Sequence, residues 1–135
     1  MVTRGTVHPF REAMALVARD ETGNVGAVAY EMDLRAASCE ILSLDAREPG
    51  RGVGSVLLAG VEEDARSRGC RKVWLVTGND NLDALRFYQR RGYRLACVHV
   101  GAVDEARRQK QAIPLHGHWG IPLHDEIELA KWLWL

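Results

Sequence analysis

Neither sign of charge is in excess in this chain. Lys and Arg number 18, Asp and Glu number 18, and the formal net charge is zero. A protein that grips nucleic acid through phosphates shows a basic surplus, so composition gives no reason to expect a nucleic-acid partner. Cysteine is scarce: Cys39, Cys70 and Cys97 are an odd, scattered set with no CxxC pair. That is not a disulfide framework. Each lies in or beside an apolar run and reads as a buried free thiol, which suits a reducing compartment. No apolar run approaches the ~20 residues that cross a bilayer, so no membrane partner is expected. The opening MVTRGTVHPFRE lacks the apolar core of a signal peptide. The expected location is cytoplasmic.

The rest is an ordinary globular mixture, 47% hydrophobic and 27% charged. Its 135 residues suit a single domain, 1–135, with a core that needs no disulfide or metal staple. AMALVAR (13–19) predicts a strand, DETGN (20–24) a hairpin turn, and VGAVAYEMD (25–33) the return strand. SCEILSLD (38–45) predicts a third strand. From Val53 the apolar positions Val53, Val56, Leu57, Val61 and Ala65 follow a helical period, with Glu62, Glu63, Arg66 and Arg68 facing outward and Gly69 as the stop. KVWLVT (72–77) is a short buried strand. Leu82 to Arg91 is a second helix, capped by Asn81 and stopped by Gly92. YRLACVHV (93–100) is a strand, 102–111 a polar helix, and DEIELAKWLWL a last strand with Ile127, Leu129, Leu133 and Leu135 alternating. The order predicts an α/β or α+β domain with at least one parallel crossover. IPLH occurs at 113–116 and 121–124, two similar turns within one loop spanning 101–125.

Between the third strand and the first helix lies REPGRGVGSVLLAG. Glycines let a backbone turn tightly and aim successive N–H groups at one point, and the helix that follows adds the positive end of its dipole. Such a loop cradles an anion, although a plain tight turn is the simpler reading of the glycines alone. An ATP-binding loop needs Gly-Lys-Ser/Thr, but here Gly54 is followed by Ser55 and Val56. A dinucleotide fold needs GxGxxG, which the spacing of Gly50, Gly52 and Gly54 does not supply.

Further along stands NLDALRFYQRRGY (81–93). The two segments together resemble the GNAT superfamily of acyl-CoA-dependent N-acyltransferases. That family carries Gln/Arg-x-x-Gly-x-Gly/Ala before one helix and Asn-x-x-Ala-x-x-Phe-Tyr-x-x-x-Gly-Phe after it. Asn81, Ala84, Phe87, Tyr88 and Gly92 match the second pattern, with Tyr93 in place of Phe; Gly52 and Gly54 match the first. Pro49 stands where the family has a basic or amide residue, which puts one side-chain contact in doubt. The resemblance spans roughly residues 13 to 135. It implies a mixed, mostly antiparallel sheet with a splayed parallel strand pair and flanking helices. It implies acetyl-CoA as co-substrate, and no metal.

The resemblance also implies where the cofactor lies. Its pyrophosphate would meet the backbone amides of Arg51, Gly52, Val53, Gly54 and Ser55. Its pantetheine arm would run between strands 39–45 and 72–77, along the backbone from Leu42 to Leu44, with an oxyanion donor at a bulge near Leu44. Asn81 would contact coenzyme A while capping its helix. Acyl transfer to an amine needs a deprotonated amine, because a lysine-like ammonium (pKa ~10.4) has no free electron pair; it also needs oxyanion donors and a proton for the leaving thiolate. By resemblance Tyr88 is the candidate acid and cofactor contact, against a simple core aromatic. Glu40 is the candidate base, against a solvent-facing strand glutamate. Arg47, Arg86 and Arg90 could meet the 3′-phosphate or simply be solvated. His116, His118 and His124 with Asp125 could line the acceptor pocket; the metal-ligand reading is the weaker one.

The family usually opens with a strand and helices that shape the acceptor side. Only residues 1–12 precede the first long strand here, and they contain Gly5 and Pro9. The 101–125 segment or a second copy would then supply cover, and the apolar WLWL end adds to the expectation of a homodimer. The acceptor is a small-molecule or protein amine of unspecified identity. A degenerate acyl-CoA-binding domain without turnover and an interaction module remain alternative readings.

Overall fold

The computed structural model describes residues 2–3, 6–7 and 11–133. In chain order its elements are β1 (Val2–Thr3), β2 (Thr6–Val7), β3 (Arg11–Asp20), β4 (Gly23–Asp33), β5 (Ser38–Ala46), α1 (Val53–Ser67), β6 (Lys72–Gly78), α2 (Leu82–Gln89), β7 (Arg94–His99), α3 (Ala102–Gln109) and β8 (Glu126–Trp132). A 3-10 turn, His118–Gly120, precedes β8. β1 and β2 form a small antiparallel ribbon. The other strands form one mixed sheet in the order β3-β4-β5-β6-β8-β7, mostly antiparallel, with one parallel pair joined by the α1 crossover. This is the class of fold expected. Gly5 and Pro9 in the N-terminal segment, and Leu135 in the final alternation, lie outside the described residues.

The chain divides into two compact units, Met1–Val73 with Trp132–Leu135, and Trp74–Lys131. In the first, β3 and β4 make a hairpin closed by the Asp20↔Gly23 pair. The Asp20 carboxylate accepts the Thr22 N–H at 2.7 Å and the Thr22 hydroxyl at 2.6 Å, which fixes the turn. β4 and β5 pair antiparallel with one irregularity: Tyr30 faces Ile41 and Ala29 faces Ser43, so Leu42 is the extra residue of a bulge. Helix α1 packs on β3, β4 and β5. Leu57, Leu58, Val61 and Ala65 of the helix are buried, as are Val28, Tyr30, Met32, Cys39 and Ile41 of the sheet.

Two positions of α1 differ from the expected stripe. Val56 is 68% exposed, while Glu62 is buried. Close approaches account for the rotation. A Cβ on Gly60 would lie 2.9 Å from Leu16 Cδ1, so the helix backbone rests against β3 at that point. A Cβ on Gly26 of β4 would lie 2.6 Å from Val53 Cγ1 and 2.8 Å from the Asp45 carbonyl oxygen. Glycine at 26 therefore lets the start of α1 sit directly on the sheet. Further along the helix, the Tyr30 hydroxyl donates to Asp64 Oδ2 at 2.7 Å, Arg68 Nε donates to Asp64 Oδ1 at 3.0 Å, and Arg68 reaches Glu12 at 2.6 Å. Burial pushes the Tyr30 phenol well above its ordinary pKa, helped by Asp64. The Asp64 carboxyl is held below its ordinary value, first by the Tyr30 hydrogen bond and then by Arg68, against the effect of burial.

In the second unit the Asn81 side chain caps α2 by accepting the Ala84 N–H at 3.2 Å, as expected. The helix ends at Gln89 with Arg90 as its cap, short of the expected Arg91, and left-handed Gly92 (φ 94°) lies two residues beyond, whereas Gly69 (φ 81°) directly follows the Arg68 cap of α1. Tyr88 lies edge-on to Phe87 and to Tyr93, at ring centroid distances of 5.0 and 5.4 Å, and the Arg91 guanidinium lies 3.7 Å over the Phe87 ring. The two IPLH copies are not separate turns but the arms of one tight hairpin. Leu123 N–H donates to the Leu115 carbonyl, and His116 bridges Pro122. Cys39 and Cys70 are buried, and burial pushes the Cys39 thiol up to about 12. Cys97 is exposed, contrary to the sequence reading, because it lies on β7, the last strand in the sheet order, whose residues are all exposed.

Two outcomes follow from this packing. Gly26→Ala destabilises the protein by about 1–3 kcal/mol, since the new methyl meets backbone that has no rotamer to yield; an unchanged midpoint in urea would contradict the contact. Tyr30→Phe removes a hydrogen bond to a charged acceptor, at a cost of about 1.5 kcal/mol near neutral pH. A carboxyl whose folded pKa is depressed stabilises above its unfolded pKa of ~3.9 and loses that contribution as pH falls through the folded value. The cost of Tyr30→Phe is therefore smaller at an acid pH well below the ordinary carboxylate range than at neutral pH. Urea unfolding of both proteins at the two pH values measures this, and equal losses would count against it.

Candidate functional site

The first part of the site is backbone. β5 ends at Ala46, and the chain turns through Pro49 and Gly50 before α1 begins at Val53. Gly50 has φ 83°, and Gly52, the residue preceding the helix, has φ 78° and ψ 3°. Space does not require glycine at either position, because a Cβ there would meet nothing within 4 Å. The left-handed backbone does. Pro49 followed by a left-handed glycine is the pair a type II turn requires. Arg51 Nη1 closes the turn by reaching Glu48 at 3.0 Å.

Helix α1 then starts with no side-chain cap and no acidic residue in its first turn. The first N–H groups of an α-helix have no partner within the helix, and the dipole makes that end positive. Arg51, Gly52, Val53, Gly54 and Ser55 run consecutively from the loop into that turn. Beside them, in the same unit, is a cavity of about 280 Å³ lined by Arg19, Asp20, Arg47, Arg51, Gly52 and Val56, among others. Arg47 holds the Thr22 hydroxyl at 2.6 Å there. The lining carries three guanidinium side chains, Arg19, Arg47 and Arg51, and two carboxylates, Asp20 and Glu48.

On β5, Leu42 is 52% exposed and occupies the bulge, while Leu44 pairs regularly with Val28. The bulge expected near Leu44 thus falls at Leu42. That placement keeps Ile41 buried against Tyr30 and turns the strand outward beyond it. Glu40 is half-buried rather than solvent-facing, and it pairs in register with Glu31. Glu31 is buried and accepts from Arg11 at 2.9 Å. The Arg11 guanidinium is held above its ordinary pKa, chiefly by the Glu31 hydrogen bond against burial, with a smaller contribution from Glu40. Glu40 thus belongs to a cluster of three carboxylates, with Glu31 and Asp33, around one guanidinium.

The second unit holds Asn81 and Tyr88. Asn81 Nδ2 donates to the Thr77 hydroxyl at 3.1 Å while its oxygen caps α2. Tyr88 is buried, with 6% exposure. Arg86 is exposed and lies 3.7 Å from Asp83. The histidines do not gather with Asp125. His124 Nδ1 meets Asp104 at 2.9 Å, His118 meets Asp80, and Asp125 accepts the Gly101 N–H at 2.8 Å. Among the described residues, no His, Cys, Asp and Glu group is arranged to hold a metal ion, and no helix is long and apolar enough to cross a membrane. The pairing of Asp80 with His118 escaped the sequence reading. The run Asn79-Asp80-Asn81 reads locally as loop and cap, and its partner lies far along the chain.

Comparison with known proteins bears on the family and the fold. The profile of the Acetyltransferase (GNAT) family matches residues 4–93. The uncharacterized protein YdhI of Bacillus subtilis (strain 168) is 41% identical over 121 residues, covering 89% of this chain and 74% of that protein. Among solved structures, an IAA acetyltransferase from Bacillus cereus ATCC 14579 superimposes with a TM-score of 0.76 at 26% identity, covering 90% of this chain and 78% of the other. A GNAT family acetyltransferase from Elizabethkingia anophelis, solved with acetyl-CoA bound, has the same fold, with a TM-score of 0.76 at 21% identity over 90% of this chain and 76% of its own. With a family profile and a close relative both spanning most of its length, the chain belongs to the Acetyltransferase (GNAT) family.

Proposed function

We propose that this protein is an N-acetyltransferase that moves the acetyl group of acetyl-CoA onto a primary amine by direct attack of the amine on the thioester. The observation that carries the reading is the start of α1: a helix dipole with no side-chain cap and no acidic first turn, approached through two left-handed glycines. That end favours a pyrophosphate over any uncharged ligand. The co-substrate supplies an activated thioester; the chain supplies binding and proton transfer.

In this reading the amides from Arg51 to Ser55 bind the pyrophosphate. The Leu42–Leu44 backbone of β5 receives the pantetheine arm, because a bulge leaves ladder groups free for an added partner. The exposed backbone at Leu42 supplies the N–H donor for the developing oxyanion. Asn81 adds a contact at the α2 N-terminus. Tyr88 donates a proton to the departing sulfur, and Glu40, one of the two carboxylates on β5 with Asp45, is a candidate for proton transfer on the acceptor side. The acceptor is a small-molecule or protein amine. The same reading carries a cytoplasmic location and a homodimer.

Calorimetric titration with acetyl-CoA tests the reading, with desulfo-coenzyme A and free adenine nucleotides as controls. Saturable binding that depends on the pyrophosphate supports it, and no binding by correctly folded protein would sink it. Gly52→Asp places a carboxylate in the cradle. At an effective dielectric near 20, like charges about 4 Å apart repel by about 4 kcal/mol, so the affinity for acetyl-CoA falls by on the order of 10²–10³-fold; retention of wild-type affinity would mean the phosphates lie elsewhere. Tyr88→Phe keeps the edge-on packing with Phe87 and Tyr93. Turnover then drops on the order of 10²-fold with binding nearly unchanged, and a variant at full rate would remove Tyr88 as the acid.

A further inference from the structure

The second unit contains a His–Asp pair, His118 with Asp80. Asp80 lies between β6 and α2 and is 5% exposed. Its Oδ2 accepts both the backbone N–H and the ring Nδ1 of His118, each at 2.8 Å. An ionised carboxylate only accepts, so the proton of this contact sits on Nδ1 and, in the neutral ring, the free electron pair sits on Nε2. Burial works to raise the Asp80 pKa, but the two bonds from His118 hold it below the ordinary value, so the carboxylate is charged. The His118 side chain is 65% exposed. A buried carboxylate thus fixes one ring nitrogen and leaves the other open, the arrangement by which an imidazole is oriented to accept a proton.

The surroundings hold the pair in place. A Cβ at Gly117 would collide with the Asp80 carboxylate, so glycine there permits the close approach. Gly117 N–H donates to the Ile121 carbonyl at 2.9 Å. Asn79 donates to the Pro122 carbonyl and accepts the amides of His124 and Asp125. Trp119, next to His118, is 72% exposed with a left-handed φ of 63°, a strained conformation for a bulky residue and one that marks functional tips. The charged groups of the packed elements are engaged elsewhere: Asp104 with Arg107 and His124, and Asp125 with the Gly101 amide. Asp80 is the charged group in contact with the ring. It immediately precedes Asn81, proposed above as a contact of the cofactor.

We propose that His118, oriented by Asp80, takes the proton from the ammonium of the acceptor. The inference rests on the acetyl-transfer reading above. The ammonium gives one proton to Nε2, leaving an imidazolium beside Asp80 and a neutral amine. The amine nitrogen bonds to the acetyl carbon, and the C–S electron pair leaves with sulfur. The thiolate takes a proton from Tyr88, the surplus proton of the new amide is relayed through water to the Tyr88 oxygen and so restores it, and His118 returns its proton to solvent.

The test is thiol release from acetyl-CoA with spermidine, lysine ethyl ester, tyramine and hydroxylamine as acceptors, from about pH 6 to pH 10, spanning the ordinary imidazole and amine ranges. His118→Ala keeps the backbone N–H that Asp80 also accepts, so the hairpin stays anchored. The expected result is a loss on the order of 10²-fold in kcat/KM for the acceptor. The acidic limb of the pH profile disappears, acetyl-CoA affinity is unchanged, and added imidazole restores part of the rate. Full activity in His118→Ala, a loss that imidazole does not rescue, or disappearance of the limb in Glu40→Gln alone overturns the assignment and leaves acetyl transfer standing. Wild-type protein that binds acetyl-CoA yet releases thiol with none of the acceptors overturns both readings.

Discussion

The seating of α1 on β3, β4 and β5 is the constraint on which the first unit depends. Leu57, Leu58, Val61 and Ala65 have no other way to leave water. Once they are buried against Val28, Tyr30 and Ile41, the helix axis is fixed and so is the point where its first turn begins. Gly26 sets that point most closely, because any side chain there would push Val53 away from the sheet. The cradle is therefore positioned by apolar packing behind it and not by contacts within the loop. The Tyr30–Asp64–Arg68 chain of bonds fixes the other half of the helix by a different means, tying it to the strands through charge-assisted hydrogen bonds.

The second unit is organised by polar groups. Its hairpin between α3 and β8 has little apolar core, and its backbone carbonyls would otherwise face only water. Arg107 donates to the carbonyls of Ile113, Pro114 and Leu123 at 3.2, 2.8 and 2.7 Å. One guanidinium with five donors in a fixed plane can gather both arms in this way, which a lysine could not. Asn79 and Asp80 do the same from the other side. A segment built like this keeps one conformation without being buried, and it presents His118 and Trp119 at its tip.

Local periodicity made most elements legible. Alternation marked β3 to β5, the helical spacing after Val53 marked α1, and Asn81 with Gly92 marked both ends of α2. The paired glycine and Asn-Phe-Tyr motifs led to the family. Failures came where the deciding atom is distant in sequence. The exposure of Val56 and the burial of Glu62 depend on where Gly60 meets Leu16 and Gly26 meets Val53, contacts between residues far apart in sequence. Cys97 sits in an apolar run that would be buried in a central strand, but sheet order places it at an edge, and order is not a local property. The bulge at Leu42 depends on how β4 pairs. Asp80 and His118 are 38 positions apart, and neither has a neighbour that signals the other.

Pro49 is the clearest departure from the family pattern, and its consequence depends on which part of the loop binds. A basic or amide side chain at that position could add one contact to a phosphate. A proline instead restricts its own φ to about −65° and, with Gly50 at φ 83° behind it, sets the turn before any ligand arrives. The conformational entropy that a flexible loop would lose on closing around a pyrophosphate is then partly lost in folding. In the proposed reading, where amides of the α1 first turn make the cradle, the loop can trade a side-chain contact for preorganisation and still present the same donors. The substitution that looks like damage in the motif is thus compatible with an intact anion site.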